Sequence, residues 1–281
     1  MADDLRQMSL NVRRTIIEQS FRAGVGHIGS CLSIVEILAA LYGVVLLGEG
    51  DDDPDRDRFI LSKGHAALAL YAALYEAGRL DACELDTYCT DGTMLGGHPD
   101  HELGAIELST GSLGQGLPVG AGMALGARLS NSPSRVFVLL SDAECNEGAV
   151  WEAAMFAAHH GLGNLVAIID ANGQQALGRT GEVLDMEPLP ARWSAFGWDA
   201  HEVDGNDPEA LAAHLEALDA VANGGKPHVL IARTTFGKGV SYMEGQIHWH
   251  YWPMSEKLYA QALSELDTAA AGTGGRPTGV G

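Results

Sequence analysis

The chain has 281 residues, 46% of them hydrophobic and 6% aromatic, which is enough apolar side chain for one large core. A formal charge of −20 and a pI near 4.7 exclude nucleic acid and anionic membranes as natural partners. The 36 glycines suit close helix–sheet packing, and the hydrophobic fraction excludes a disordered chain. An anionic ligand must then be held by local groups or by a bound cation. Cys31, Cys83, Cys89 and Cys145 form no C-x-x-C pair, and Met1 to Gln7 is acidic and polar, unlike a targeting segment. No apolar run reaches the roughly 18 residues of a membrane span. The expectation is a cytoplasmic protein with reduced thiols.

In chain order, apolar residues at helical spacing (Leu5, Met8, Val12, Ile16, Ile17) predict a helix to Phe21. Ala23 to Ser30 reads as a glycine-rich loop. Ser33 is expected to open a helix, with Glu36 completing a capping box. Glu49 to Asp57 is an acidic loop, Arg58 to Leu61 a short strand, and Gly64 to Ala77 a buried helix. Thr87 to Thr110 shows little periodicity. A helix of small residues runs from Leu113 to Leu129.

Arg135 to Leu140 and Leu165 to Ile169 are continuous apolar strands separated by a helix, Gly148 to His160. Strands that are apolar on both faces mark a parallel βαβ unit. Asp199 to Val203 is a weaker strand, Asp207 to Ala222 a helix, and His228 to Ala232 a third apolar strand. Val240 to Tyr251 is irregular, and Ser255 to Leu266 is the last helix. The expected fold is α/β, a doubly wound, mostly parallel sheet flanked by helices, as one domain over residues 1–267 with a mobile tail over 268–281.

In such sheets ligands sit beyond the C-terminal strand ends. Asp142 and Asn172 follow the two strongest strands, thirty residues apart. A carboxylate and an amide oxygen suit Mg²⁺ or Ca²⁺ rather than zinc. Because Mg²⁺ is usually held by few protein groups together with phosphate oxygens, a di- or triphosphate ligand follows. Taken alone, Asp142 as a helix cap and Asn172 as a turn residue remain an alternative. His98 with His101, or His248 with His250, lacks the further ligands of a tetrahedral zinc set. Gly111 to Gly122 does not match the dinucleotide spacing G-x-G-x-x-G. Trp249, Tyr251 and Trp252 read as packing aromatics.

The segment from Ser141 to Gln174 (SDAECNEGAVWEAAMFAAHHGLGNLVAIIDANGQ) resembles the thiamine-diphosphate motif, with Asp142, Glu147, Gly148 and Asn172 in register. The resemblance to transketolases extends over some 230 residues. Gly26-His27 with Ser30, Leu61 to Ala66, Gly97-His98-Pro99, Gly111 to Gly116, Phe196-Gly197-Trp198, Asp204-Gly205-Asn206, Lys226-Pro227, and Thr234 to Gly239 follow in the family's order. Ser241, Met243, Glu244, Gln246, Trp249 and His250 resemble the corresponding loop of short, split transketolases. This resemblance implies the thiamine-diphosphate-binding fold, with thiamine diphosphate and Mg²⁺ (or Ca²⁺) as cofactors. Asp142, Asn172 and the Gln174 carbonyl would hold the metal. His65, Ser112, Leu113, Gly114, Asp142, Ala143, Glu144 and Asn172 would contact the cofactor. His27, His98 and His250 would face the reacting centre, and Glu147 would take part in communication between paired sites.

The chain departs from the motif at Ser141 and Ala143, which stand where glycines flank the Asp, and at Ala171, Ile28 and Tyr251. The resemblance further implies a separate pyrimidine-binding-domain subunit, which supplies the glutamate that activates the cofactor's aminopyrimidine, in an α₂β₂ assembly. The expected reaction is transfer of a two-carbon ketol unit from a ketose-like donor to an aldehyde or carrier-bound acceptor. The α subunit of a 2-oxoacid dehydrogenase-like complex, and a non-catalytic stabilising subunit, are the alternatives.

Overall fold

The computed structural model describes residues 2–48, 53–218 and 225–273. Along the chain lie α1 (Ala2–Ala23), α2 (Ile28–Leu32), α3 (Val35–Ala40), β1 (Arg58–Leu61), α4 (Ala67–Glu76), α5 (Ala82–Leu85), α6 (Gly116–Ser130), β2 (Val136–Ser141) and α7 (Gly148–His159). Then come β3 (Leu165–Asp170), the two-residue strands β4 (Gln174–Gln175) and β5 (Gly178–Arg179), α8 (Thr180–Val183), α9 (Leu189–Ala195), β6 (Asp199–Asp204), α10 (Pro208–Ala217), β7 (His228–Arg233) and α11 (Glu256–Thr273).

Five strands form one parallel sheet in the order β1-β2-β3-β7-β6. All six residues of β2 and all six of β3 are buried, because both faces of the sheet are covered. Strand alternation divides them between two cores. Phe137, Leu139, Val166 and Ile168 pack with α1, α3, α4 and α10. Val136, Val138, Leu140, Ala167 and Ile169 pack with α6, α7 and α9. The result is a three-layer α/β/α domain, as the apolar strands predict. The chain runs β1-β2-β3, skips to β6 at the edge, and returns through α10 to β7. Right-handed crossovers require the helix to change face when the winding reverses, and α10 lies on the opposite face from α7 and α9. In such a sheet the C-terminal ends of the central strands, beside the reversal, are where a ligand is expected.

Several local expectations are corrected. The segment after Gly26 is not all loop, because α2 begins at Ile28. Ser33 does not open a helix; it closes α2, Ile34 precedes α3, and the Ser33 hydroxyl donates to Asp170 at 2.5 Å. Glu36 instead pairs with Arg13 at 2.5 Å, both side chains buried. Helix α11 runs on to Thr273, past Leu266. Residues 274–281, the greater part of the expected tail, lie outside the described residues, as do 49–52 of the acidic loop and 219–224 at the end of the expected 207–222 helix. Among the described residues no helix is long and apolar enough to cross a membrane.

Candidate cofactor site

Ser141 and Asp170 are register partners at the ends of β2 and β3, so Asp142 and Asn172 emerge side by side. One Asp142 carboxylate oxygen accepts from its neighbour Ala143 N–H at 2.8 Å, the other from Gly173 N–H at 2.8 Å. Gly173 adopts φ +73°, a left-handed turn that favours glycine. The turn brings Gln174 N–H within 2.9 Å of Asn172 Oδ1. Asn172 Nδ2 is held by Asp170 at 2.8 Å and Ser33 Oγ at 3.0 Å. The amide oxygen is thereby directed away from Asp170, toward the Gln174 turn. Asp142, Ala143, Asn172 and Gln174 thus form one oxygen-rich cluster.

Beneath it lies a buried ion pair. Lys63 and Asp170 have no exposed side-chain surface, and Lys63 Nζ donates to Asp170 at 2.5 Å. Ser33 and Thr234 hydroxyls donate to the other carboxylate oxygen. Two buried carboxylates, Asp142 and Asp170, face a single buried ammonium. Burial first, and then Asp170, push Asp142 up to about 7. A hard divalent cation beside Asp142 would neutralise that surplus negative charge, so the donor set fits the metal that the fold family carries. Lys63 and Asp170 escape motif reading as site residues. A signal is nonetheless there, since a lysine and an aspartate at the ends of apolar strands are rarely buried unless paired.

Lys63 also joins this cluster to a second one. Its ammonium donates to the Ser30 carbonyl at 3.2 Å, and Ser30 Oγ lies 2.8 Å from His65 Nε2. The His27, His65 and His250 rings lie 5.1–5.5 Å apart, centroid to centroid. His27 sits at φ 61°, a conformation uncommon outside glycine. Its N–H donates to the His250 carbonyl at 3.2 Å, which locks the two loops together. Burial, reinforced by Lys63 and the neighbouring imidazoles, pushes His65 down to about 2 and His250 down to about 4. Burial, with His98 and Lys63, lowers His27 as well. These rings are neutral at physiological pH and serve as hydrogen-bonding groups. His27 Nδ1 is shielded and has no hydrogen-bond partner among the described residues, so a bound ligand is its natural partner. His98 packs against Gly111, where a Cβ would lie 3.0 Å from the ring, and its carbonyl accepts from Tyr71 OH at 3.0 Å.

Glu144 is fully buried. Its carboxylate accepts from Ser62 Oγ, from Gly114 N–H at 2.7 Å and from Ser141 N–H at 3.3 Å. The side chain expected to contact cofactor is engaged in positioning the 112–114 loop. Ser112 is exposed, Leu113 half-buried and Gly114 buried. Glu147 is exposed at the start of α7, beside Gly114, where a Cβ would come 2.7 Å from Glu147 Cβ. Ser141, which replaces the first motif glycine, is accommodated: its Oγ accepts from Glu144 N–H at 3.0 Å. Tyr251 OH donates to the Ala176 carbonyl at 3.2 Å, tying the His250 turn to the β4–β5 hairpin.

Residues 6–269 match the family model described as "Transketolase, thiamine diphosphate binding domain". The chain is 41% identical over 266 residues to one of the subunits of the apulose-4-phosphate transketolase of Phocaeicola vulgatus, covering 94% of each chain. It is 38% identical to 6-deoxy-6-sulfo-D-fructose transketolase subunit SqwG of Clostridium sp. strain MSTE9, covering 95% of this chain and 98% of that one. The crystal structure of transketolase from Campylobacter jejuni superposes with a TM-score of 0.84 at 27% identity; 94% of this chain covers 43% of that chain. The protein thus matches the length of these subunits and spans less than half of that solved transketolase. With the motifs in order, the sheet in place and the match spanning nearly every residue, the chain belongs to the transketolase family and corresponds to its thiamine diphosphate binding domain.

Proposed function

We propose that this chain is the diphosphate-binding subunit of a two-chain, thiamine-diphosphate-dependent transketolase. It works in the cytoplasm with Mg²⁺ or Ca²⁺, paired in an α₂β₂ assembly with a separate pyrimidine-binding-domain subunit. The reaction is transfer of a two-carbon ketol unit from a ketose-like donor to an aldehyde or carrier-bound acceptor. The carrying observation is the continuous path from the Asp142–Asn172–Gln174 oxygen cluster, through Asp170, Lys63 and Ser30, to His65, His27 and His250. It suits an elongated ligand with a metal-bound diphosphate at one end and a reacting ring at the other.

When bound, thiamine diphosphate supplies the electron sink for carbon–carbon bond cleavage. The chain's own groups bind and orient. Asp142, Asn172 and the Gln174 carbonyl are the metal ligands, and Ala143 N–H with the 112–114 loop borders the diphosphate. His65 steadies the cofactor. His27, His98 and His250 hydrogen-bond substrate hydroxyls, His27 and His250 as neutral imidazoles. The named relatives of equal span are transketolase subunits, which disfavours the 2-oxoacid dehydrogenase alternative.

Calorimetric titration of the assembled complex with thiamine diphosphate tests the metal assignment. Affinity is expected to fall with EDTA and to recover with Mg²⁺. Asp142→Ala is expected to abolish that metal dependence; unchanged affinity in this variant overturns the assignment.

A further inference from the structure

The opposite rim of the sheet, where β6 and β7 begin, carries a cluster that the cofactor chemistry does not use. Asp199 and His228 are register partners, and His201 lies two residues along β6. The three side chains therefore share one face, the face covered by α10. His201 Nε2 lies 3.0 Å from Asp199 Oδ2, and His228 Nδ1 lies 3.4 Å from the same oxygen. All three atoms fall within 4.8 Å of one another. Both ring nitrogens are shielded from solvent yet lack an aligned hydrogen-bond partner. His228 is 8% exposed, and a buried imidazole nitrogen beside a carboxylate that is poorly aligned for a hydrogen bond is a costly arrangement that a metal ion relieves. The His214 ring on α10 packs edge-on to His201 at 4.7 Å, and its Nε2 is unpartnered too. Asp199 and His201 remain partly exposed, which gives an ion a way in.

We propose that Asp199, His201 and His228 bind a zinc ion, with water in the fourth position, and that the ion clamps the edge strand β6 to β7. Two imidazoles and a carboxylate are a zinc donor set, and bond lengths of about 2.0–2.2 Å put tetrahedral ligands about 3.3 Å apart. The two separations to Asp199 bracket that value, and the third pair lies within 4.8 Å. Mg²⁺, which prefers oxygen donors, is not expected here. The strand length between the rims separates this site from Asp142.

The test uses the full chain with its partner subunit, stripped with EDTA and dialysed. Wild type and Asp142→Ala are each titrated with Zn²⁺, then with Co²⁺, so that binding at the cofactor rim is counted separately. One equivalent of zinc is expected in both, with intense tetrahedral cobalt absorption bands and a rise in Tm. His201→Ala and His228→Ala should each weaken zinc binding about tenfold or more and lose the cobalt bands. Their turnover with thiamine diphosphate and Mg²⁺ should stay at the wild-type level. Zinc binding unchanged in both histidine variants overturns the proposal. If those variants fold poorly, wild type alone decides, and the absence of tetrahedral cobalt bands overturns it.

Discussion

Imidazoles with depressed pKa values gather at one end of the proposed site. His65, held near 2 mainly by burial, is neutral in the folded chain throughout the physiological range, whereas unfolding restores a value near 6.5. Below about pH 6.5 the unfolded chain binds the extra proton, so folding stability falls as pH falls toward the folded value. At about 1.4 kcal/mol per pH unit, His65 alone accounts for about 3 kcal/mol between pH 6.5 and 4. His65→Gln should flatten that acid limb in urea unfolding followed by far-UV circular dichroism, and an acid limb identical to wild type would refute the assignment. Kinetically, His27 and His98 should behave unlike His65. His27 has an unpartnered, shielded nitrogen and His98 abuts the Gly111 loop, so His27→Ala and His98→Ala should lower kcat by about 10²-fold or more with little change in cofactor affinity. His65→Ala should chiefly weaken cofactor binding. Steady-state rates untouched in all three variants would show that the histidine roles are misassigned.

The strand ends depend on side chains that serve other segments. Glu144, in the turn between β2 and α7, receives Ser62 from the end of β1 and Gly114 N–H from the loop before α6. Glu144→Ala would strand at least two buried donors, each costing about 1–3 kcal/mol. An unfolding free energy lower by about 3 kcal/mol is expected from urea denaturation, with Glu144→Gln much milder. A loss below about 0.5 kcal/mol in the alanine variant would mean that water takes over both donors. Such bonds mark the limit of sequence reading. β2, β3 and β7 are legible because buried parallel strands are apolar without interruption, and Asp142 and Asn172 because each closely follows one. The β4–β5 hairpin and α9 carry no comparable signal, since each is short and shaped by tertiary contacts. Ser33 with Glu36 matches a capping box, yet both side chains find partners distant in sequence, Asp170 and Arg13; local pattern cannot report such partners. Lys63 and Asp170 are 107 residues apart, so their pairing becomes visible only once β1 and β3 share a sheet.

For the whole molecule, the question is what covers the proposed site. The His250 turn and the β4–β5 hairpin, which carry proposed site residues, also carry large apolar side chains left in solvent: Leu177 is 80%, Tyr251 55% and Trp252 60% exposed. Tyr251 OH bonds to Ala176, so these segments adjoin one another at one rim. Clustered apolar exposure of this kind marks an interaction surface. The named relatives of equal span are each designated one subunit of a transketolase, whereas the solved Campylobacter transketolase is more than twice as long. A second chain seated on this rim would bury the exposed aromatics beside His27 and His250. The purified chain with saturating thiamine diphosphate and Mg²⁺ should therefore show no ketol transfer, and activity should appear in proportion to the pyrimidine-domain partner added. Trp252→Ser should raise the concentration of partner needed for half-maximal activity about tenfold, since a central interface aromatic carries about 1.4 kcal/mol or more. Its far-UV circular dichroism should be unchanged, because a side chain that is mostly in solvent contributes little to the fold. Ketol transfer by a verified single-chain preparation would overturn the two-chain reading while leaving the cofactor assignments intact. Normal assembly by Trp252→Ser would instead move the interface to another face of the domain.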